Sequence, residues 1–135
     1  MKSLKPRPYK EAPETLGEHL RKRRIELALL QKAIASRLQV NAWTYLGWEH
    51  DRRQPPLRFW PRIIGFLGYD PSPEPQTLGE RIWAERRKLG LSQAEAARLL
   101  GLEEGTLRRY ERGKDQPTPA ILDTFETFFF YKQNT

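Results

Sequence analysis

The stretch SQAEAARLLGLEEGTLRRYERG, Ser92 to Gly113, decides how this chain is read. Ser92 and Glu95 have the spacing of a capping box, in which each side chain answers a backbone N–H at a helix start. Gly101 closes that helix, because a left-handed residue costs least where there is no Cβ. In the segment that follows, Leu102, Leu107 and Tyr110 fall on an inward side, and Arg108, Arg109 and Arg112 on a wet one. Two short helices joined by a tight turn result, either a packed hairpin or a surface shaped to enter a DNA groove.

Working outward, the same device recurs. With Thr15 of TLGEHL set over Thr77 of TLGERI, an offset of 62 residues holds without a gap from Thr15/Thr77 to Tyr69/Tyr131. Identical pairs include Leu16/Leu78, Gly17/Gly79, Arg24/Arg86, Gln31/Gln93, Ala35/Ala97, Thr44/Thr106, Glu49/Glu111 and Pro55/Pro117. An ungapped match of that length implies the same fold twice. Between the copies lies DPSPEPQ, Asp70 to Gln76, whose three prolines bar a helix. It reads as a linker spanning roughly 20 Å at about 3.1 Å per residue.

Thr15 with Glu18, and Thr77 with Glu80, open the first helix of each copy, which ends near Ala28 or Gly90. Thr118 caps a last helix with Pro119 at its first position, and Leu122, Phe125 and Phe129 are expected to lid the core. Trp60, Ile63, Ile64 and Leu67 take that part in the first copy. The expected fold class is therefore all-α, two tandem small helical bundles. Residues 1–14 form a basic, proline-containing leader expected to be disordered; 15–69 is copy 1, 70–76 the linker, 77–131 copy 2 and 132–135 a tail.

Copy 2 resembles the Cro/repressor type of helix-turn-helix domain, the Xre family, through RRKLGLSQAEAARLLGL, Thr106, the YERG segment and Pro117. Copy 1 is similar, though degenerate, through RKRRIELALLQKAIASRLQV, Thr44, WEH and Pro55. The resemblance implies lambda-repressor-like bundles of four or five helices, most of whose members are bacterial or phage regulators that bind DNA in the major groove. It also implies that Gln31 and Gln93, at the start of each second helix, are phosphate-positioning contacts, and that Arg24–Glu49 and Arg86–Glu111 are structural ion pairs. Both copies keep both charged partners at one separation, which favours a tie between first and third helices over independent surface charges.

The face of the third helix sets sequence preference. In copy 2 its early and outward positions are Glu103, Glu104, Gly105, Arg108 and Arg109. Arg109 suits guanine and Glu104 suits cytosine N4, whereas Glu103 matches a capping site near the positive end of the helix dipole. Arg112 and Lys114 join Arg52 and Arg53 as phosphate contacts. Copy 1 departs from the pattern: Gln39 replaces the turn glycine, Asn41 caps the third helix, and the outward face reads Ala42, Trp43, Tyr45 and Gly47. Ala42 and Trp43 remain its base-reading candidates. Trp43 is left with three roles, a thymine methyl, a protein partner or its own domain. Gly47 inside a helix points to close approach by something or to relaxed constraint.

Charge divides the chain unevenly. The net charge is +7, yet residues 77–135 carry ten basic against nine acidic residues, and 15–76 carry ten against six. Copy 1 and the leader are thus expected to supply phosphate attraction through Arg21 to Arg24, Arg52, Arg53, Arg58 and Arg62, with Lys2, Lys5, Arg7 and Lys10 as minor-groove candidates, while copy 2 reads bases. The absence of cysteine excludes disulfides and thiolate metal sites, and His19 and His50 lack metal spacing. No phosphate loop, nucleophile elbow or deaminase signature is present, so neither an enzyme, a cofactor nor a metal is expected. No apolar run nears the ~20 residues of a membrane span, and a cytoplasmic, nucleoid-associated location is expected. The expected partner is double-stranded DNA, read by a transcription regulator. A protein-interaction module, antitoxin-like or co-regulatory, is the alternative, motivated by Trp43, Tyr45 and FETFFFY; homodimerisation is left open.

Overall fold

The structure, a computed structural model, describes residues 8–130, and among these every regular element is a helix. The chain divides at Ser72/Pro73 into two units. Lys2, Lys5, Arg7, Tyr131 and the 132–135 tail lie outside the described residues. No described helix is long and apolar enough to cross a membrane.

Unit 1 contains α1 (Leu16–Glu26), α2 (Gln31–Arg37), α3 (Ala42–Glu49), a 3-10 turn (Leu57–Phe59) and α4 (Trp60–Leu67). Thr15 and Glu18 form the full capping box at α1, and Asn41 Oδ1 accepts from Thr44 N at α3, 2.7 Å away. Leu20, Ile34, Leu38, Tyr45, Trp48 and Ile63 are almost wholly buried between these helices. Each such side chain contributes roughly 1.5–3 kcal/mol by leaving water. Ala35, 2 % exposed, lets α2 and α3 approach closely.

Residues 8–14 depart from the expected disordered leader. They lie along α1: Arg21 Nε donates to Pro8 O at 2.9 Å, Lys22 Nζ to Glu11 O at 2.8 Å, and Lys10 Nζ stands 3.0 Å from Glu18 Oε2. The backbone N–H of Glu14, the Lys10 ammonium and the backbone N–H of Thr15 hold the Glu18 carboxyl down to about 2.

Unit 2 contains α5 (Leu78–Leu89), α6 (Gln93–Leu100), α7 (Glu104–Glu111), α8 (Pro119–Phe125) and a π-helical turn (Glu126–Phe130). The capping box at Ser92 and Glu95 is complete. At Thr77 only the hydroxyl half forms; Glu80 Oε2 instead accepts from Gln76 N at 3.4 Å. Ile82, Ala96, Leu100, Leu107 and Tyr110 make the core with Phe125, Phe129 and Phe130. The π-helical turn explains the aromatic lid. A wider turn brings Phe130 beside Phe129 over Phe125, with the Phe125 and Phe130 rings stacked at 5.8 Å, and turns Phe128 outward, 53 % exposed. Leu122 does not join the lid as expected; it is exposed on the far side of α8, and Ile121 packs on the core instead.

Two constraints recur in each unit at positions 62 apart. The first is a clash limit: a Cβ at Gly17 would lie 2.4 Å from Glu49 O, and one at Gly79 would lie 2.2 Å from Glu111 O. The helix start must therefore be bare for the third helix to end against it. The second is handedness. Gly90, Gly101 and Gly113 have φ of 69°, 72° and 70°, whereas unit 1 adopts the same backbone with Ala28, Gln39 and Asp51, at 56°, 61° and 58°. Backbone bonds from Leu29 N to Arg24 O, Val40 N to Ala35 O and Arg52 N to Gly47 O close the unit 1 turns. Leu91 N to Arg86 O, Leu102 N to Ala97 O and Lys114 N to Arg109 O close those of unit 2. A left-handed residue with a Cβ costs about 1–2 kcal/mol.

Two substitutions follow with opposite signs. Gln39→Gly should stabilise unit 1 by about 1 kcal/mol, and Gly17→Ala should destabilise it by about 1–3 kcal/mol or more, both read from urea midpoints. An unchanged midpoint for Gly17→Ala would show that α1 retreats from the end of α3 without cost.

Candidate nucleic-acid interface

A buried ion pair aims the third helix of each unit. In unit 1, Arg24 Nε and Nη2 lie 2.8 Å from Glu49 Oε2 and Oε1, and Arg24 Nη1 donates to Leu29 O at 3.1 Å. Gln31 Nε2 adds a bond to Glu49 Oε1 at 3.3 Å. In unit 2, Arg86 Nε is 2.9 Å from Glu111 Oε2, Nη2 is 3.0 Å from Oε1, and Nη1 donates to Leu91 O at 3.1 Å. Gln93 Nε2 completes the set at 3.5 Å from Glu111 Oε1. One carboxylate thus ties together the first, second and third helices. Burial pushes the Glu49 carboxyl up, but the Arg24 fork, the Tyr45 hydroxyl and the Gln31 amide outweigh it and hold the pKa below its ordinary value.

These contacts alter the part expected of the glutamines. The amide nitrogens of Gln31 and Gln93 point inward at a glutamate, and Gln93 Oε1 accepts from Arg108 Nε at 3.4 Å. They brace the second helix against the third. The Arg21–Arg24 run is likewise committed internally: Arg21 reaches Pro8 O and Glu49, Lys22 reaches Glu11 O, and Arg23 Nε donates to Phe66 O at 3.1 Å. Arg52, Arg53, Arg58 and Arg62 remain as the exposed cations on the later part of the unit.

On unit 2, α7 follows α6 through the Gly101 turn and presents Glu104, Gly105, Arg108 and Arg109 to solvent, with Arg112 and Lys114 exposed just beyond. Glu103 occupies the cap position of α7 but makes no side-chain cap bond. Arg108 Nη2 is 3.4 Å from Glu104 Oε1, and Arg109 Nη2 is paired with Asp115 Oδ2. Asp115, which sequence reasoning missed, is therefore the residue that orients Arg109. Both pairs are exposed, so they direct the guanidinium groups at a cost of little stability.

On unit 1, α3 begins with exposed Ala42 and Trp43, the latter 63 % exposed. Tyr45 does not face outward as expected. It shares an inward stripe with Trp48, three residues on, and is fully buried, with its hydroxyl beside Glu49 and Arg24; burial, the largest cause, pushes its pKa up. Gly47 is also covered: the Arg53 stem runs over it, 3.1 Å from where a Cβ would stand. That stem ends with the Arg53 guanidinium 3.8 Å above the Trp43 ring. Beside it opens a cleft of about 640 Å³ lined in part by Asn41, Thr44, Trp48, Arg53, Arg58 and Phe59, with no carboxylate in its wall. The alternative of an aromatic protein-binding surface loses Tyr45, Phe129 and Phe130 to the cores and keeps Trp43 and Phe128. Among the described residues no group of three or more His, Asp or Glu is arranged to hold a metal.

A helix-turn-helix family model matches residues 84–132, the Cro/repressor type that residues 77–131 resemble in sequence. The matched span takes in the second half of α5 and all of α6, α7 and α8, so unit 2 holds a helix-turn-helix domain, and every regular element among the described residues is a helix. No curated protein and no solved structure gives a significant match.

The Glu49 geometry has a pH consequence. Its folded pKa is depressed, so its stabilising contribution is present above the ordinary carboxylate range and is lost as pH falls through the folded value. Glu49→Gln should lower the stability of unit 1 by about 3–5 kcal/mol at pH 7, because it leaves Arg24 buried without its counter-charge. The gap to wild type should narrow below pH 4. Urea unfolding in a Trp83→Phe background, where Trp43, Trp48 and Trp60 report on unit 1, checks both points; a gap independent of pH would refute the charge account.

Proposed function

We propose that the chain is a sequence-specific double-stranded DNA-binding protein and a transcriptional regulator, without catalytic activity or cofactor. In this reading it is built from two tandem helix-turn-helix bundles. Copy 2 reads the major groove through α7, with Glu104, Gly105, Arg108 and Arg109 toward base edges and Arg112 and Lys114 toward phosphates. Copy 1 assists through Arg52, Arg53 and its neighbouring cations. The observation that carries the proposal is the outer side of α7, where two oriented arginines follow a glycine turn inside the matched helix-turn-helix span. Two copies are supported by the repeated ion pair, the repeated bare helix start and the repeated left-handed turns. A cytoplasmic location, at the nucleoid when bound, goes with this function.

In vitro selection of the purified chain on a random duplex library at physiological salt tests the proposal. The expected outcome is an enriched motif with two unequal halves in direct repeat, since the two reading faces differ. A palindrome would assign the reading to a homodimer. Retention without enrichment, and without salt dependence, would transfer the function to a protein partner. Within an enriched motif, Arg109→Ala should weaken the specific site by roughly 5- to 150-fold while leaving random duplex nearly unchanged. Equal loss on both would make Arg109 a phosphate contact.

A further inference from the structure

Positions 62 apart on the two outer faces show a three-way exchange. Unit 2 carries Gly105, Arg109 and Asp115; unit 1 carries Trp43, Gly47 and Arg53. In unit 2 the guanidinium comes from the helix itself, at Arg109, and the loop residue Asp115 holds it. In unit 1 the helix position is a glycine, the guanidinium comes from the loop at Arg53, and the helix residue Trp43 holds it at 3.8 Å. Each face therefore carries a guanidinium held by a neighbour, Arg109 by Asp115 and Arg53 by Trp43, delivered by a different route.

From this exchange we infer that Arg53 is a base-reading residue, the guanine-recognising group of unit 1, with Trp43 and Gly47 as its positioning residues. The inference rests on the DNA-binding function proposed above and changes the part of copy 1 from general phosphate attraction to sequence reading. Three observations are explained together. Gly47 leaves the Arg53 stem its path along the helix, since a Cβ there would meet Arg53 Cδ at 3.1 Å. Trp43 stays exposed because its ring is the platform for the guanidinium and not part of the core. The Arg53 backbone is itself anchored, as Arg53 N donates to Gly47 O at 3.3 Å.

The chemistry favours a base over a phosphate. Ala42 and Gly47 offer no side-chain donor along this face, the Trp43 indole offers a single N–H, and Asn41 Oδ1 is engaged at the helix cap, so Arg53 is the group here with a planar pair of donors. A guanidinium held 3.8 Å above an indole has lost much of the freedom that a phosphate contact tolerates, and its planar fork matches guanine O6 and N7. No carboxylate lines the adjoining cleft to draw the fork away.

The test compares selections by wild type, Arg53→Lys and Trp43→Ala, each first confirmed as folded by circular dichroism. Arg53→Lys keeps the charge and loses the fork. The expected result is that both variants lose preference at one guanine of the motif and keep the rest, with that site weakened roughly 5- to 150-fold. Replacing that guanine by 7-deazaguanine, which removes N7, should weaken wild type and leave Arg53→Lys unaffected. A motif unchanged in both variants, or an equal loss on every duplex, would overturn the inference while leaving the DNA-binding function standing. Failure of wild type to enrich any motif would overturn the DNA-binding function, and this inference with it.

Discussion

Everything on the outer faces depends on a carboxylate buried between the first and third helices. Apolar contacts among Leu20, Ile34 and Trp48, or among Ile82, Leu107 and Tyr110, bring helices together but allow them to slide and rotate. A guanidinium fork does not, because its hydrogen bonds fail when the geometry shifts by a fraction of an ångström. The same glutamate acts twice: its side chain takes Arg24 or Arg86, and its backbone oxygen abuts the bare start of the first helix at Gly17 or Gly79. Helix position and helix rotation are thereby set at one residue. Burying such a pair gives little net stability against an apolar replacement, so its value lies in direction.

The turns show how the two units reach one backbone from different residues. Unit 2 uses glycine at each left-handed position, and unit 1 uses Ala28, Gln39 and Asp51. Asp51 offsets its own strain, because its carboxylate accepts from Thr15 Oγ1 at 2.6 Å and Gly17 N at 2.9 Å, and so caps α1 at its positive end. Ala28 and Gln39 have no comparable return. Unit 1 thus holds its turn with backbone strain that packing around Trp48 and Tyr45 must outweigh.

Features governed by local chemistry were legible in the sequence. Capping residues Thr15, Ser92, Asn41 and Thr118, the left-handed residue at Gly101 and the substitution of Gln39 at the same turn depend on a few neighbouring residues, and a sequence displays those directly. Features governed by phase or by reach were not. Tyr45 was placed outward because an aromatic early in a reading helix looks available, although its spacing to Trp48 puts it on the buried stripe. In unit 2 the spacing of three from Leu122 to Phe125 suggests a shared face, but the core takes Ile121, four residues before Phe125, and the π-helical turn then resets the periodicity that brings in Phe129 and Phe130. The internal destinations of Arg21, Lys22 and Arg23 depend on residues 8–11 and on Phe66, contacts that helical periodicity does not encode. Arg53 and Asp115 hid in plain view as an opposite-charge pair at aligned positions.

That single aligned position also contributes to the uneven charge of the chain, since unit 2 carries Asp115 where unit 1 carries Arg53. In unit 2 the arginines of the proposed reading face, Arg108 and Arg109, stand beside Glu104 and Asp115. Exposed pairs of this kind contribute at most about 1 kcal/mol and are readily exchanged for a base edge, but while present they offset attraction to phosphate. Phosphate attraction favours every sequence equally, so it cancels from the difference between affinities that sets specificity; lowering it weakens binding to random and specific duplex alike. In unit 1 an indole in place of a carboxylate holds Arg53, and the full positive charge stays on the surface with Arg52, Arg58 and Arg62. A carboxylate buttress gives an oriented arginine with reduced pull on phosphate; an aromatic buttress gives an oriented arginine that keeps it. In the proposed role, unit 1 therefore supplies more of the long-range capture, while Arg53 on unit 1 and the arginines of α7 on unit 2 share the reading of bases.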